Sequence, residues 1–365
     1  MSRIAILSRD ITPADAVSND VLAMQGLLSK RDHEVRVFAY STSLTVPEIF
    51  PSNGALSYLD GPEDVLIYHH SIGWDAGVEI VKTASCRKII KYHNITPPEF
   101  FEGISEQHVG LCRSGRLQVK DIIECRPDLL LAASFFNMAD LIAAGSQNDK
   151  TFVLPPFNQA DKLQAGAANF DILDNYSDGS VNLLTVGGVR PNKGHAALVE
   201  AFAIYYYQFN RAARLFVVGV ETDALAPYAM ILRQLINSWD IDSRIVFTGE
   251  ISNESLKAYY MLADALVTTS EHEGFCVPLA EAMAMKVPIV AYASTAIPET
   301  ADDAGLVWNE RDPYLLAQSI DCLLANEPAK MALVARGAER YENAFSNKAI
   351  EKEFLEVTAR AGFEF

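Results

Sequence analysis

Short apolar runs recur along the chain in two series, with helix-length stretches between them, and this alternation limits the possible folds more than any other feature. The first series occupies residues 3–7, 34–39, 65–69, 88–92 and 129–134. The second occupies 181–186, 214–219, 244–249, 265–269, 287–291 and 305–308. Runs of this length, spaced by crossover-length segments, predict parallel strands covered by helices on both faces. Val21, Met24, Leu27 and Leu28 follow Ser18 and Asn19 at helical spacing and predict a helix between the first two strands. Pro155-Pro156-Phe157-Asn158, followed by the small polar stretch 165–180, reads as a linker between the series. The expected architecture is therefore α/β, with two Rossmann-like, doubly wound parallel-sheet domains facing across a cleft. Their expected bounds are 1–165 and 166–345, with 346–365 a C-terminal helix crossing back to the first domain. In open parallel sheets the ligand crevice lies at the carboxyl ends of the strands, so the loops after strands are where chemistry is sought.

Composition removes several function classes. The 365 residues carry 47 acidic and 30 basic groups, a net charge of −17, which argues against non-specific nucleic-acid binding because phosphates require a basic face. The charge is uneven: residues 1–160 hold 14 basic and 19 acidic groups, the remainder 16 and 28. Five widely spaced cysteines with no CxxC pair suggest neither a disulfide framework nor zinc, and fit a reducing, cytoplasmic setting. The start MSRIAILSRD reads as a strand rather than a signal peptide, and no stretch nears the ~20 apolar residues of a membrane span. Any membrane contact is expected to be peripheral, at the cytoplasmic (inner-membrane) face. The basic segments 87–91 and 113–120 are its candidates, with plain solvated surface as the alternative.

Two loops carry the chemical signal. The first, Glu273-Gly274-Phe275-Cys276-Val277-Pro278, follows an apolar strand and enters a helix at Pro278, with Glu281 one turn further on. Free amides at such a helix start bind anions, and two carboxylates flank the turn. The bland alternative makes Glu273 a helix cap and Glu281 a solvated residue. The second loop, Gly187-Gly188-Val189-Arg190-Pro191-Asn192-Lys193-Gly194, follows the first strand of the second series. Adjacent glycines admit a ligand close to the backbone, and Arg190 and Lys193 can neutralise a diphosphate. It is neither a Walker A loop nor a GxGxxG element, and a solvated loop is its alternative. Asp240-Ile241-Asp242 has the DxD form but precedes a strand and reads as a turn.

The spacing from Glu273 to Glu281 resembles the Glu-x7-Glu signature of retaining glycosyltransferases of family four, which have the GT-B fold. Gly188-x-Arg190-x-x-Lys193-Gly194, Val246-x-Thr248-Gly249, and Val287-Pro288-Ile289-Val290-Ala291 followed by Ile297-Pro298-Glu299 resemble that family in the same order. Weaker likenesses in the first half are Ala133-Ser134-x-Phe136-Asn137 and Val153-Leu154-Pro155. The resemblance implies hexosyl transfer from a nucleoside diphosphate sugar, with no metal or other cofactor, to a saccharide or polyprenyl-linked acceptor. In it Arg190, Lys193 and Gly188 meet the diphosphate and Glu281 the ribose. Glu273 and Gly274, with the amides of Phe275, Cys276 and Val277, fix the transferred sugar, and Gly249 borders the base. His93 stands where the family has a histidine beside that sugar. His69, His70, Asn94 and Asp15 are assigned to the acceptor side, and the histidines' lack of a third ligand argues against zinc.

Two departures stand out. Residues 9–24 contain no glycine where many members have several; Asp10, Asp15 and Asp20 stand there instead, leaving an amide within 14–16 as the expected substitute. Cys276 stands where many relatives have glycine, and is read as a small buried side chain rather than a nucleophile. The alternatives to transfer are a GT-B phosphorylase or epimerase, and a two-lobed sugar-binding protein without catalysis.

Overall fold

The computed structural model describes every residue except 1, 14, 32 and 46. The chain divides into two units, one made of residues up to Glu102 with Glu106–Asn158 and Ser346–Phe365, the other of Gly103–Ser105 and Gln159–Phe345.

The first unit holds a seven-stranded parallel sheet ordered β3-β2-β1-β4-β5-β6-β7. Its strands are β1 (Arg3–Ile11), β2 (Glu34–Thr42), β3 (Ile49–Pro51), β4 (Val65–His70), β5 (Arg87–Tyr92), β6 (Leu129–Ala132) and β7 (Thr151–Val153). The three-residue strands β3 and β7 have no counterpart among the apolar runs. Both are edge strands, where short length and Pro51 are tolerated because one side needs no ladder. Helix Ala16–Ser29 packs Val21, Met24, Leu27 and Leu28 into a core shared with Ile4 and Ile6, and with Ile350, Phe354 and Val357 of helix Asn347–Arg360. Its cap is Asp15, whose carboxylate accepts from the Ser18 backbone N–H at 2.8 Å and hydroxyl at 2.9 Å. The helix therefore begins earlier than Ser18 and Asn19 suggest. The glycine-free stretch is mostly strand and helix, leaving a connection of four residues that includes 14, outside the described residues, as is part of the proposed 14–16 amide site.

The second unit holds a six-stranded parallel sheet ordered β10-β9-β8-β11-β12-β13. The strands are β8 (Asn182–Val186), β9 (Arg214–Val218), β10 (Ile245–Gly249), β11 (Ala265–Thr268), β12 (Ile289–Tyr292) and β13 (Gly305–Trp308). Leu183, Leu215, Val217, Val267 and Val290 pack with Leu198 and Phe202 of helix His195–Gln208 and Leu316 and Ile320 of helix Pro313–Ala325. The stretch read as a linker contains helix Phe170–Tyr176, capped by Asn169 and anchored where the Tyr176 ring meets Phe216 edge-on at 4.9 Å. Phe170, Leu173 and Tyr176 have helical spacing, which the surrounding small polar residues concealed.

In each sheet the strand order reverses once, between β1 and β4 and between β8 and β11. Those are the switch points where crevices open at the carboxyl ends of strands. Among the described residues, no helix is long and apolar enough to cross a membrane.

Candidate functional site

In the second unit both motif loops issue from the paired strands at the switch point, β8 and β11. Adjacent parallel strands put their following loops side by side, and hydrogen bonds join them. Glu271 N–H donates to the Asn192 carbonyl at 2.8 Å, the Asn192 amide to the His272 carbonyl at 3.1 Å, and the Thr269 hydroxyl to the Gly194 carbonyl at 2.9 Å. Gly194 has φ +66, and a Cβ there would lie 2.1 Å from the Thr269 carbonyl oxygen, so only glycine lets the loops touch. The result is an ion pair between the loops, Lys193 Nζ to Glu273 Oε1 at 2.7 Å.

A third loop, after β12, fixes the Glu273 backbone in place. The Thr295 hydroxyl accepts from the Glu273 N–H and donates to the Glu273 carbonyl, both at 2.8 Å. Ser294 donates to the Ser270 carbonyl at 2.5 Å. The chain then runs through Gly274 and Phe275 to Cys276, at φ +72, and into helix Val277–Ala284 with Pro278 in its first turn. In that first turn Pro278 carries no N–H and the Leu279 N–H donates to the Cys276 carbonyl at 3.0 Å. Glu281, one turn in, is buried and accepts from the Tyr260 hydroxyl at 2.8 Å. Burial raises its pKa against the opposing pull of that hydrogen bond. Arg190 is exposed and lies across Gly188, its Nε 3.3 Å from where a Cβ on Gly188 would stand. Gly249 ends β10 at φ +67 and bridges to Gly219 beyond β9.

This geometry brings together Lys193, Glu273, Gly274, Phe275, Cys276 and Val277, with Glu281 on the helix behind them. It also shows the supports that sequence reading missed: Asn192, Thr295 and Tyr260. Asn192 lies inside a motif and was legible as a loop residue. Thr295 and Tyr260 carry no local signal, since what matters is the element each faces. Asp240 and Asp242 stand before β10, at the end of the sheet opposite these loops, Asp240 in a turn at φ +52.

The first unit holds a buried polar cluster at its own switch point. Asp20 from helix Ala16–Ser29, Lys91 from β5 and His69 from β4 have side chains with no exposure, and His93 just after β5 has 7%. Lys91 Nζ lies 2.8 Å from Asp20 Oδ2 and donates to Oδ1 at 3.1 Å, while Oδ1 also accepts from Phe157 N–H at 2.9 Å. His69 Nδ1 and His93 Nε2 are hydrogen-bonded at 2.9 Å, with Asp20 Oδ2 at 3.8 and 3.5 Å from those atoms.

Several expectations for the first unit change. Lys91 is a buried ion-pair partner and cannot meet lipid, and Arg87 is engaged with the Ala361 and Gly362 carbonyls at 2.9 and 2.6 Å. The two histidines do have a third group at metal-ligand spacing, since Asp20, His69 and His93 offer donor atoms within 4.8 Å of one another. The Lys91 ammonium already neutralises that carboxylate, so the donor set does not suit a divalent cation. His70 is 1% exposed, bonded to the Gly115 carbonyl at 2.9 Å, so an acceptor does not reach it in this structure. Asn94 donates to Asn137 at 2.9 Å from a buried position, and Asp15 serves as the helix cap described above.

Residues 180–326 match the family model described as Glycosyl transferases group 1. The O-antigen chain mannosyltransferase B of Escherichia coli is 29% identical over 157 residues, covering 42% of this chain and 39% of that protein. A GDP-mannose-dependent alpha-(1-6)-phosphatidylinositol monomannoside mannosyltransferase of Mycobacterium tuberculosis is 27% identical over 197 residues, covering 51% of this chain and 50% of that protein. The chain thus spans half or less of the length of these curated relatives. Among solved structures, HepE of Anabaena in complex with UDP and glucose has a TM-score of 0.76 at 16% identity, covering 98% of this chain and 100% of that one. Sucrose-phosphate synthase from Thermosynechococcus elongatus has a TM-score of 0.78 at 20% identity, with 99% of each chain covered. The chain therefore has the two-unit, Rossmann-like GT-B fold, and its residues 180–326 form the segment similar to the group 1 glycosyl transferases.

Proposed function

We propose that the chain is a retaining, metal-independent glycosyltransferase. It moves a hexose from a nucleoside diphosphate sugar, GDP-mannose or a UDP-hexose, to a hydroxyl of a saccharide or lipid-linked acceptor in the assembly of surface polysaccharide or a related glycan. The observation that carries this reading is the Lys193–Glu273 pair at 2.7 Å, set against the start of helix Val277–Ala284. One cation and one carboxylate meet there beside a helix start, each suited to one part of a nucleotide sugar. The relatives' names support it, since one is an O-antigen chain mannosyltransferase and another is GDP-mannose-dependent.

In this reading Lys193 and Arg190 neutralise the departing diphosphate, and the amides of Phe275, Cys276 and Val277 add fixed dipoles where negative charge grows. Glu273 accepts from hydroxyls of the transferred hexose, and Glu281 from the ribose hydroxyls. The anomeric carbon–oxygen bond breaks as the acceptor oxygen bonds to the same face, and the acceptor proton passes to the leaving phosphate oxygen. Charge is balanced by side chains and backbone, so no metal enters the scheme. The salt bridge holds Lys193 and Glu273 near their working positions before the donor arrives, which lowers the cost of ordering them.

The test is a thermal-shift screen of the purified chain against nucleoside diphosphates and sugar nucleotides, followed by transfer assays with NMR of the product anomer. Stabilisation by one nucleoside diphosphate and a product of retained configuration are expected. Lys193→Ala and Glu273→Ala should each lower transfer by about 100-fold or more with the fold intact. Turnover near that of the unaltered chain in either variant, or no stabilisation by any nucleotide, overturns the reading.

A further inference from the structure

The cluster around His93 contains more charge than a loop histidine needs. Asp20 and Lys91 are a fully buried ion pair, and such a pair is seldom worth its desolvation as a stabilising contact. Its placement is directional: Lys91 is held from behind by the Pro155 carbonyl at 3.3 Å, and Asp20 Oδ2 faces the two imidazoles. The other titratable group near them is His70 of β4, whose Nε2 must donate to the Gly115 carbonyl.

Hydrogen-bond accounting fixes the direction of the contact between His69 and His93. His69 Nε2 is buried with no partner. If His69 Nδ1 accepted, the proton would sit on Nε2 as a buried N–H with nothing to meet it, the costlier orphan. If Nδ1 donates, it does so to His93 Nε2 at 2.9 Å, with Asp20 Oδ2 beyond hydrogen-bond reach at 3.8 Å, and Nε2 keeps only a bare lone pair. A neutral His93 whose Nε2 accepts must carry its proton on Nδ1.

We propose that the His69 Nδ1–H contact fixes the tautomer of His93, and that the Lys91–Asp20 pair keeps both rings uncharged because each member cancels the other's charge beside them. His93 is thereby presented as a neutral Nδ1–H donor for a sugar hydroxyl or ring oxygen. The sugar as partner rests on the glycosyltransferase reading; the state of His93 does not. Desolvation first, then the nearby Lys91, keeps His93 well below its ordinary pKa, in agreement with a neutral ring.

Long-range nitrogen–proton NMR on the full chain with labelled histidine reads the tautomer directly, His93→Gln identifying the resonances. The expected result at pH 7 is His93 protonated at Nδ1 and bare at Nε2; a proton on Nε2, or on both, overturns the proposal. Lys91→Gln leaves Asp20 uncompensated and should raise the titration midpoint of the His69–His93 pair by about one unit or more. The double variant D20N/K91Q should return it to that of the unaltered chain. A single variant that titrates unchanged, or a double variant that fails to restore the midpoint, overturns the proposal. Should Lys91→Gln fail to fold, the double variant buries no unpaired charge and must still show the Nδ1 proton. Transfer by His93→Ala at the full rate would defeat the role given to His93 in sugar contact and leave the NMR result standing, so the two readings fail separately.

Discussion

Cys276 enters helix Val277–Ala284 at φ +72, a left-handed conformation that costs a side-chain-bearing residue about 1 kcal/mol and glycine almost nothing. The departure to cysteine visible in the sequence thus falls at a position whose backbone asks for glycine. Cys276→Gly should leave stability unchanged or raise it by up to about 1 kcal/mol, while Cys276→Val should lower it, both read by thermal unfolding. Burial first, and then the nearby Glu273, push the thiol well above its ordinary range. Iodoacetamide at pH 8 should therefore leave the folded chain unmodified at this position, and rapid alkylation there would contradict the inert reading. At this scale the sequence was informative where the proposed chemistry rests on residue type, as with Lys193 and Glu273. It was silent on Asp20 and Lys91, which sit 71 positions apart and look like surface charges until the fold closes over them.

At the scale of elements, the apolar runs located most strands because a strand buried on both faces must be apolar throughout. They did not show what joins the strands' ends. Asp64, just before β4, accepts the backbone N–H of Arg3 at 2.8 Å, of Asp60 at 2.7 Å and of Gly61 at 3.0 Å, tying the start of β1 to the loop before β4. Burial pushes its pKa up, but those three amides outweigh burial and hold it below the ordinary carboxylate value. A depressed carboxylate contributes stability above its unfolded pKa and loses it as pH falls through the folded one. Asp64→Asn should therefore cost about 2 kcal/mol in urea unfolding, with the same deficit at pH 7 and pH 5, closing only in stronger acid. A deficit that shrinks between pH 7 and pH 5 would contradict this assignment.

Across the molecule, buried neutral histidines set the acid limit. Burial lowers His70 in the first unit and His195 in the second to about 4. The unfolded chain binds protons near 6.5 while these folded sites do not, so stability is full above that value and falls as pH drops toward 4. Each site should remove about 2 kcal/mol between pH 7 and pH 5, so both units should lose melting temperature in that interval. A melting profile flat across it would show that these rings are not buried as neutral groups. The sequence by itself determined the α/β class, the two parallel sheets and the two loops to which the proposed phosphate and sugar chemistry is assigned. Those follow from periodicity and from residue types within about ten positions of one another. The tertiary structure decided what stands behind them. It put the β8 and β11 loops in register so that Lys193 meets Glu273, placed Thr295 on the Glu273 backbone and Tyr260 at the Glu281 carboxylate, and enclosed Asp20 with Lys91 beneath His69 and His93. Those contacts depend on strand order, and strand order is set by how whole sheets bury their faces rather than by any local run of residues.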